Sequence, residues 1–599
     1  MQRCLTLLAA LMTLLLVACQ SGKPPVITGE LKKWHTITLT FTGPHANEEG
    51  GANPFLDYRF DVTFRKGQHA FTVPGYFAAD GNAANTSAAD GNKWRVHFSP
   101  DEEGEWSWYA TFRKGEDAAL SYEPESIPKA GYFDAMQGKL VVGPTDKSGR
   151  DFRGRGRLEY YSRRYWRFAE SGDYFIKIGV SADNLFATAD FDGDFTGDDR
   201  NDDLVRGWEA HVQDWHPGDP VWQDEKGKGV IGAINYLARQ GINGISLLTM
   251  NIEGRDQNVF PFTRYNERLR YDVSRLDQWE IVLEHANRMG VLVQLRTQEG
   301  VNQSLLDGGS LDRERQLYYR MLIARFSHYP ALIWDLGESG GGSALSTTSP
   351  ASPQTPDQRL DMAQYFYEHD PYLHPLLFQN SGEFSELLTT GSKYTAALLR
   401  LPVRNTHEHL LHYHGLVEKR GLIWTVTALA PFTRSVSTAG PAAAMEIEEL
   451  RMNALWGGLM AGGAGVELAR ITADGRSDLT MRDWRQDEYL WSLGSSALAF
   501  FRRLPVAEME SRDDLVVSRN AWCLCKPGEV YALYLPKGGM VQLDLKEADR
   551  LLELQWFDPR TGEYVGESTD IRGGGRVQVG PPPGEAGLDW ALVLRQPGS

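Results

Sequence analysis

The stretch RERQLYYRMLIARFSHYPALIWDLGE, residues 313–338, holds a complete helix–turn–strand unit. Arg313–Phe326 has apolar residues at helical spacing, and Tyr329-Pro330 breaks it. Ala331–Trp334 is a short apolar run that stops at Asp335 and opens into Gly337, Glu338, Ser339 and a run of glycine. DQWEIVLEHANRMGVLVQLRT, residues 277–297, repeats the unit. Working outward, short apolar strands are expected in DYFIKIGV, GISLLTM, GVLVQLRT, ALIWDLG, HPLLFQN, AALLRLP, GLIWTVT and GGLMAGGAGVE. Amphipathic helices alternate with them. Eight such units between residues 129 and 504 predict a (β/α)8 barrel with insertions. The rival, a doubly wound open sheet, lacks a Gly-rich phosphate loop after its first strand.

The flanks have a different texture. Residues 28–128 alternate apolar and polar residues between breaks rich in Gly, Pro, Asp and Asn, as in HTITLTFTG and YRFDVTFRKG. That pattern predicts an immunoglobulin-like β-sandwich. Strands return over residues 505–599, in EVYALYLPKGG and LLELQWFDPRTGEYVGE, and predict a second β-sandwich. A chain of 599 residues accommodates three such modules. The net charge of −17 argues against nucleic acid as a partner.

The N-terminus carries Arg3, an apolar run from Leu5 to Ala18, and Cys19. The run is too short to span a bilayer and fits a signal segment. Leu16-Val17-Ala18-Cys19 resembles a bacterial lipobox. The expectation is a signal peptide over 1–18, lipidation at Cys19 and a tether over 19–27, with the lipid as the only membrane contact. Gln20 favours the outer membrane. Cys523 and Cys525 stand two apart, on one face of an expected strand. A bridge between such close neighbours would be strained, and no His or Cys pair stands nearby to complete a zinc site, so a pair of small buried hydrophobes is expected.

In a barrel of this kind, function sits just beyond the C-terminal ends of the strands. That filter selects Asp183 after strand 1 and Glu253, Arg255 and Asp256 after strand 2. It adds Glu299 and Asn302 after strand 3, Asp335 and Glu338 after strand 4, and Glu467 at the end of strand 8. Carboxylates around one mouth, with 17 Trp available to stack on sugar faces, point to carbohydrate chemistry. Trp334 is a candidate for such stacking. The first long connection has Asp190, Asp192 and Asp194 in the alternation of a calcium loop. Phe195 stands where that loop needs Gly, however, and Asn201 where it needs Glu. Neither metal nor cofactor is expected.

HVQDWHPGDPVWQDEKGKGVIGAINYLARQGINGISLLTMNIEG, YDVSRLDQWEIVLEHANRMGVLVQL and the opening stretch resemble a bacterial family of secreted barrels related to clan-A glycoside hydrolases. Its members carry an N-terminal immunoglobulin-like domain of unknown function, which residues 28–128 also resemble. Their C-terminal module is named for collagen binding, and WFDPRTGEYV and YALYLP match it. Nothing in these residues themselves points to collagen. The resemblance implies substrate contacts from the motif residues His211, Asp214, Trp215 and Trp222, or a structural role for them in fixing the loop.

Clan-A enzymes use an acid/base after strand 4 and a nucleophile at strand 7, roughly 5–5.5 Å apart when the reaction retains configuration. The resemblance implies that the acid/base position is Ser339, with Glu338 in the place of the preceding Asn. Serine cannot protonate a leaving group at neutral pH. No Asp or Glu occurs between Glu418 and Glu446, so the strand-7 position falls on the apolar Ala428 and Leu429. Two readings follow. One is a barrel that binds a polysaccharide with a degenerate active site. The other is a hydrolase using Glu338 with Glu299 in a non-standard geometry. Lyase or esterase chemistry has no support, since no Gly-x-Ser-x-Gly elbow is present.

Overall fold

The computed structural model describes residues 23–193, 207–254, 258–339, 353–380, 384–432, 441–470, 483–585 and 587–597. Eight parallel strands close into a barrel in sequence order. They are β1 Lys177–Ser181, β2 Gly244–Leu248, β3 Leu292–Arg296 and β4 Leu332–Ser339, then β5 Leu376–Asn380, β6 Ala396–Arg400, β7 Thr425–Phe432 and β8 Gly465–Arg470. Every residue of β2, β3 and β5 is buried, because lumen and helices cover both faces of a parallel strand.

The longer helices among the described residues are α1 Lys228–Arg239, α2 Val273–Arg288, α3 Arg313–Phe326, α4 Pro356–His369, α5 Thr406–Lys419, α6 Pro441–Glu449 and α7 Glu488–Phe501. Their starts follow local chemistry. Asp272 caps α2 by accepting from Arg275 N–H, and α4 begins with a Thr355/Gln358 capping box followed by Pro356.

Three details differ from the sequence reading. Among the described residues, β5 and β6 are joined by a single helical turn, Ser385–Leu387, rather than an α-helix. β7 continues past Thr427 to Phe432. Gly457–Met460 is helical and β8 begins only at Gly465, so Glu467 lies inside the strand instead of ending it.

The lower end of the barrel is closed. A three-stranded sheet, Leu158–Glu159, Trp166–Phe168 and Tyr174–Phe175, sits beneath it. Phe152, Leu158, Trp166, Phe168 and Phe175 pack in one cluster with the lumen residues Leu292, Ile333, Leu377 and Leu398. The apolar layer fills the bottom; polar side chains fill the level above.

In the first sandwich, the sheet 26–29, 37–47, 90–98 and 76–77 faces the sheet 69–74, 58–66, 104–114 and 137–142. The strand Gln137–Val142 pairs with Gly104–Lys114, so this module extends past residue 128. Its core is aromatic, with Phe41, Phe60 and Phe133 in mutual ring contact. It docks on α2 and α3 through buried ion pairs, Asp61–Arg320 at 2.7 Å among them. The second sandwich docks through Trp456 stacked on Tyr534 at 5.0 Å and a two-pronged Arg451–Asp589 pair. Cys523 and Cys525 are free thiols in its core. No helix among the described residues is long and apolar enough to cross a membrane.

Candidate functional site at the barrel mouth

The lumen above the apolar floor is a ladder of buried polar side chains. Lys177 enters from β1, and its stem crosses Gly179 and Gly244, where added Cβ atoms would lie 2.7 and 3.1 Å from Lys177 Cε. Its ammonium donates to Gln294 Oε1 (2.7 Å), Ser246 Oγ (3.2 Å) and Glu467 Oε2 (2.5 Å). Gln294 passes the ladder on by donating to Asp335 Oδ2 (2.8 Å). Arg296 donates its Nε–H to the same oxygen (3.0 Å) and its Nη1 to Asp183 Oδ1 (2.8 Å). Asp335 Oδ1 accepts from Gly337 N–H (3.0 Å).

Lys177, Arg296, Asp335 and Glu467 are all buried, so two cations balance two carboxylates in the closed part of the barrel. Burial alone would lower the Arg296 pKa. The carboxylates of Asp183, Asp335, Glu467 and Glu338 outweigh it and hold the guanidinium charged.

At the rim, β4 is bulged. Asp335 pairs with Leu377 and Glu338 with Gln379, so three steps on β4 match two on β5. Gly337 absorbs the extra residue at φ +96°, a left-handed conformation that favours glycine. Residues two apart on β5 share a face, so the bulge places Glu338 on the lumen side with Asp335. Its carboxylate lies over Gly300, where an added Cβ would be 2.8 Å from Oε2. Arg359 of α4 donates to the Glu338 carbonyl (2.6 Å) and to Gln303 Oε1 (2.7 Å), pinning the bulge. Two buried polar atoms on this part of the lumen, Arg296 Nη2 and Gln379 Oε1, have no hydrogen-bond partner among the described residues.

Glu299 is half-buried and packs over Gly254, while its own N–H donates to Asn302 Oδ1 (2.8 Å). Asp183 accepts from both Ser181 Oγ (3.0 Å) and Arg296. Across the rim, β7 presents Ala428, Leu429, Ala430, Pro431 and Phe432, and Leu429 pairs with Glu467.

The other expected site residues divide clearly. Trp334 does not face a ligand. It is fully buried on the outer side of β4, packs on Phe366 and donates its indole N–H to Asp370 (2.9 Å). Trp222 is also fully buried, stacks on Phe191 and donates to the Asp190 carbonyl (2.8 Å). Asn302 is buried and donates to the Ile252 carbonyl (3.0 Å), which ties two rim loops together.

His211 and Asp214 lie against α1. His211 Nε2 accepts from Trp484 N–H (3.0 Å), so Nδ1 carries the proton and donates to Asp214 (3.0 Å). Burial lowers the His211 pKa despite that bond. Asp214 also holds Arg239 (2.6 Å) and Arg485. Trp215 is half-buried with Lys228 Nζ 4.7 Å from its ring centre. These four motif residues therefore fasten the β1–α1 connection rather than line the mouth.

Glu467, expected at the end of β8, is instead buried in the ladder because the strand starts later. Asp190 accepts from Gly227 N–H (3.0 Å), and Asp192 from Ser87 Oγ (2.7 Å) and the Gln223 amide, so both carboxylates are engaged by protein groups. Cys19, Arg255, Asp256 and Asp194, and the side chain of Ser339, lie outside the described residues. Among the described residues, three possible metal ligands meet only at Glu30, His35 and Asp146 on the first sandwich. Lys32 and Lys147 pair with those same carboxylates.

The sequence reading passed over the ladder residues Lys177, Ser246, Gln294 and Arg296. Their signal was present: single polar residues at alternate positions in otherwise apolar barrel strands, such as VLVQLR.

Residues 30–113 match the family model described as "Domain of unknown function (DUF5060)". Residues 514–595 match the one described as "Putative collagen-binding domain of a collagenase". A structure described as a "putative glycoside hydrolase from Bacteroides vulgatus ATCC 8482" is 14% identical with a TM-score of 0.61, over 94% of this chain and 99% of that one. A family 5 glycoside hydrolase from the same organism is 12% identical with a TM-score of 0.55, over 76% and 96%. A further structure described as "Glycoside hydrolase" gives 12% and 0.52, over 76% and 99%. No curated protein matches the chain. At these identities the likeness defines the fold: a glycoside-hydrolase-like (β/α)8 barrel between two β modules.

Proposed function

We propose that this chain is a lipid-anchored envelope protein whose barrel mouth binds a polysaccharide without the two-carboxylate hydrolysis of clan-A enzymes. The observation that carries the reading is the apolar rim of β7 opposite Glu338. No Asp or Glu lies between Glu418 and Glu446 to act as nucleophile or to activate water from that side. Asp183, Asp335 and Glu467 are spent on Arg296 and Lys177. Binding is supported by what stays unpaired beneath the rim. Glu338 offers a half-buried carboxylate, and the buried Arg296 Nη2 and Gln379 Oε1, which have no hydrogen-bond partner among the described residues, are a donor and an acceptor suited to a sugar hydroxyl.

The test is a polysaccharide panel assayed in parallel for binding and for new reducing ends, with wild type, Glu338→Gln and Glu299→Gln. Binding without turnover, weakened by Glu338→Gln, is expected. Turnover abolished by Glu338→Gln would establish the hydrolase reading, with Glu338 as acid and Glu299 as partner. For the anchor, Cys19→Ser is expected to move the protein from the membrane to the soluble fraction. Unchanged fractionation would remove the lipid from the proposal.

A further inference from the structure

A second cleft lies far along the chain from the barrel rim, where the second sandwich meets α5. It encloses about 620 Å³ and is lined by Asp513, Arg519, Asn520, Trp522, Pro536 and Lys537. That is the size range of small-molecule sites. Its walls come from the segment leading into the strand Trp522–Lys526 and from the turn that follows Val530–Leu535.

The floor is rigid. Trp522 pairs across the sheet with Tyr534 and is held between His407 of α5 (ring centres 4.6 Å apart, 13° between planes) and Tyr534 (5.7 Å, 12°). Its six-membered ring abuts Gly457, where a Cβ would lie 3.1 Å away. The acidic wall is already occupied. Asp513 accepts from Cys523 N–H (2.8 Å) and lies 2.7 Å from His407 Nε2. Asn520 is fixed by Ser518 Oγ (2.6 Å) and the Met540 carbonyl (3.0 Å).

The cations are different. Among the described residues, the side chains of Arg519 and Lys537 form no ion pair or hydrogen bond, although the chain carries a net charge of −17. Arg519 is also held at φ +55°, a left-handed conformation that non-glycine residues rarely adopt. The indole N–H of Trp522 likewise has no acceptor among these residues.

We propose that this cleft is a second saccharide site, selective for an acidic sugar. Arg519 and Lys537 would bind the carboxylate or sulfate, the indole N–H and Asn520 the hydroxyls, and Pro536 with the edge of Trp522 the C–H face. A neutral sugar would leave both cations unused. The choice of a sugar over an acidic peptide rests on the polysaccharide reading above; the anionic character rests on this cleft alone.

The test uses the full mature chain and calorimetric titration with a short oligogalacturonate, a neutral oligosaccharide of equal length, a poly-glutamate peptide and inorganic sulfate. The variants are Arg519→Ala/Lys537→Ala and, separately, Glu338→Gln. Oligogalacturonate is expected to bind, to weaken roughly ten-fold or more in the double cation variant, and to weaken with added salt. Glu338→Gln should leave unchanged the part of this binding that the double cation variant removes, which separates failure of the cleft from failure of the barrel reading. Equal affinity in the double cation variant would overturn the site. Peptide or sulfate binding as tight as that of the oligosaccharide would overturn its assignment to sugars.

Discussion

Lys177 and Glu467 give the sharpest test of whether the lumen ladder is scaffold or reaction machinery. Their charged atoms are 2.5 Å apart and neither side chain is exposed. At an effective dielectric near 20, a pair at that separation attracts by roughly 6–7 kcal/mol, most of it offset by the cost of taking two ions out of water. Removing one partner is another matter. Glu467→Leu leaves the Lys177 ammonium with only Ser246 and Gln294, two neutral acceptors. Lys177→Met leaves the Glu467 carboxylate with Ser246 Oγ alone on Oε2 and no partner on Oε1.

Each single variant is therefore expected to lose about 3–5 kcal/mol of barrel stability. The double variant should fall within about 2 kcal/mol of wild type, a coupling of several kcal/mol of the kind only contacting residues show. Urea unfolding followed by tryptophan fluorescence measures all four corners of the cycle. Single losses under about 1 kcal/mol, or additive losses in the double variant, would refute the scaffold reasoning. Glu467 would then have to be read as a ligand or catalytic group.

Four other outcomes follow from buried titratable groups and from the reassigned Trp. Burial, aided by Asp272, pushes the Glu48 carboxyl up to about 8. At pH 7 the folded chain keeps a proton that the unfolded chain has released, so stability falls between pH 4.5 and 8, and Glu48→Gln should gain about 2 kcal/mol in unfolding at pH 7. No gain would show that Glu48 is ionised in place. Burial raises the Asp61 pKa, but Arg320 and Arg59 outweigh it and hold the carboxyl at about 2. Its contribution of about 2 kcal/mol is complete above the ordinary carboxylate range and lost as pH falls toward 2. Asp61→Asn should thus loosen the first sandwich from α3 and raise its protease sensitivity at neutral pH but not at pH 2.

Burial also holds His414 down at about 3 and His285 at about 4. The unfolded chain takes up these protons first, so each residue should cost roughly 2 kcal/mol between pH 7 and 5. A thermal midpoint that does not fall over that interval contradicts their burial as neutral groups. Trp334→Phe should cost about 1–2 kcal/mol by removing one hydrogen bond to the buried Asp370, which keeps those from His374 and Tyr372, while leaving polysaccharide affinity unchanged. A selective loss of affinity would return Trp334 to the site.

The barrel was legible because its signal is periodic. Apolar runs such as LIWD and VLVQL can be buried on both faces only in a parallel sheet, and the helices between them supply the cover. Glycine hid the rest. In GGLMAGGAGVE the first glycines belong to a helical turn and the last begins β8, and composition does not separate the two states. The same ambiguity moved Glu467 from an expected rim position to the interior. The bulge at Gly337 reverses the facing of everything beyond it, which simple alternation along β4 cannot reveal. Trp334 suggests itself because Trp suits sugar faces, and Trp222 because of its motif, but a Trp on the outer side of a barrel strand or beneath a loop more often fills a core. His211 and Asp214 were visible as a motif. Only the contacts with Trp484, Arg239 and Arg485, far away in sequence, show that they are fasteners.

The aromatic layer of Phe152, Trp166, Phe168 and Phe175 has a consequence for traffic. A barrel stoppered from below is a blind well, and whatever enters by the rim must leave by the rim. A polymer cannot thread through it and be passed along. It can only present a chain end, a branch or the outer curve of a bend, and each encounter ends by reversal along the path of entry.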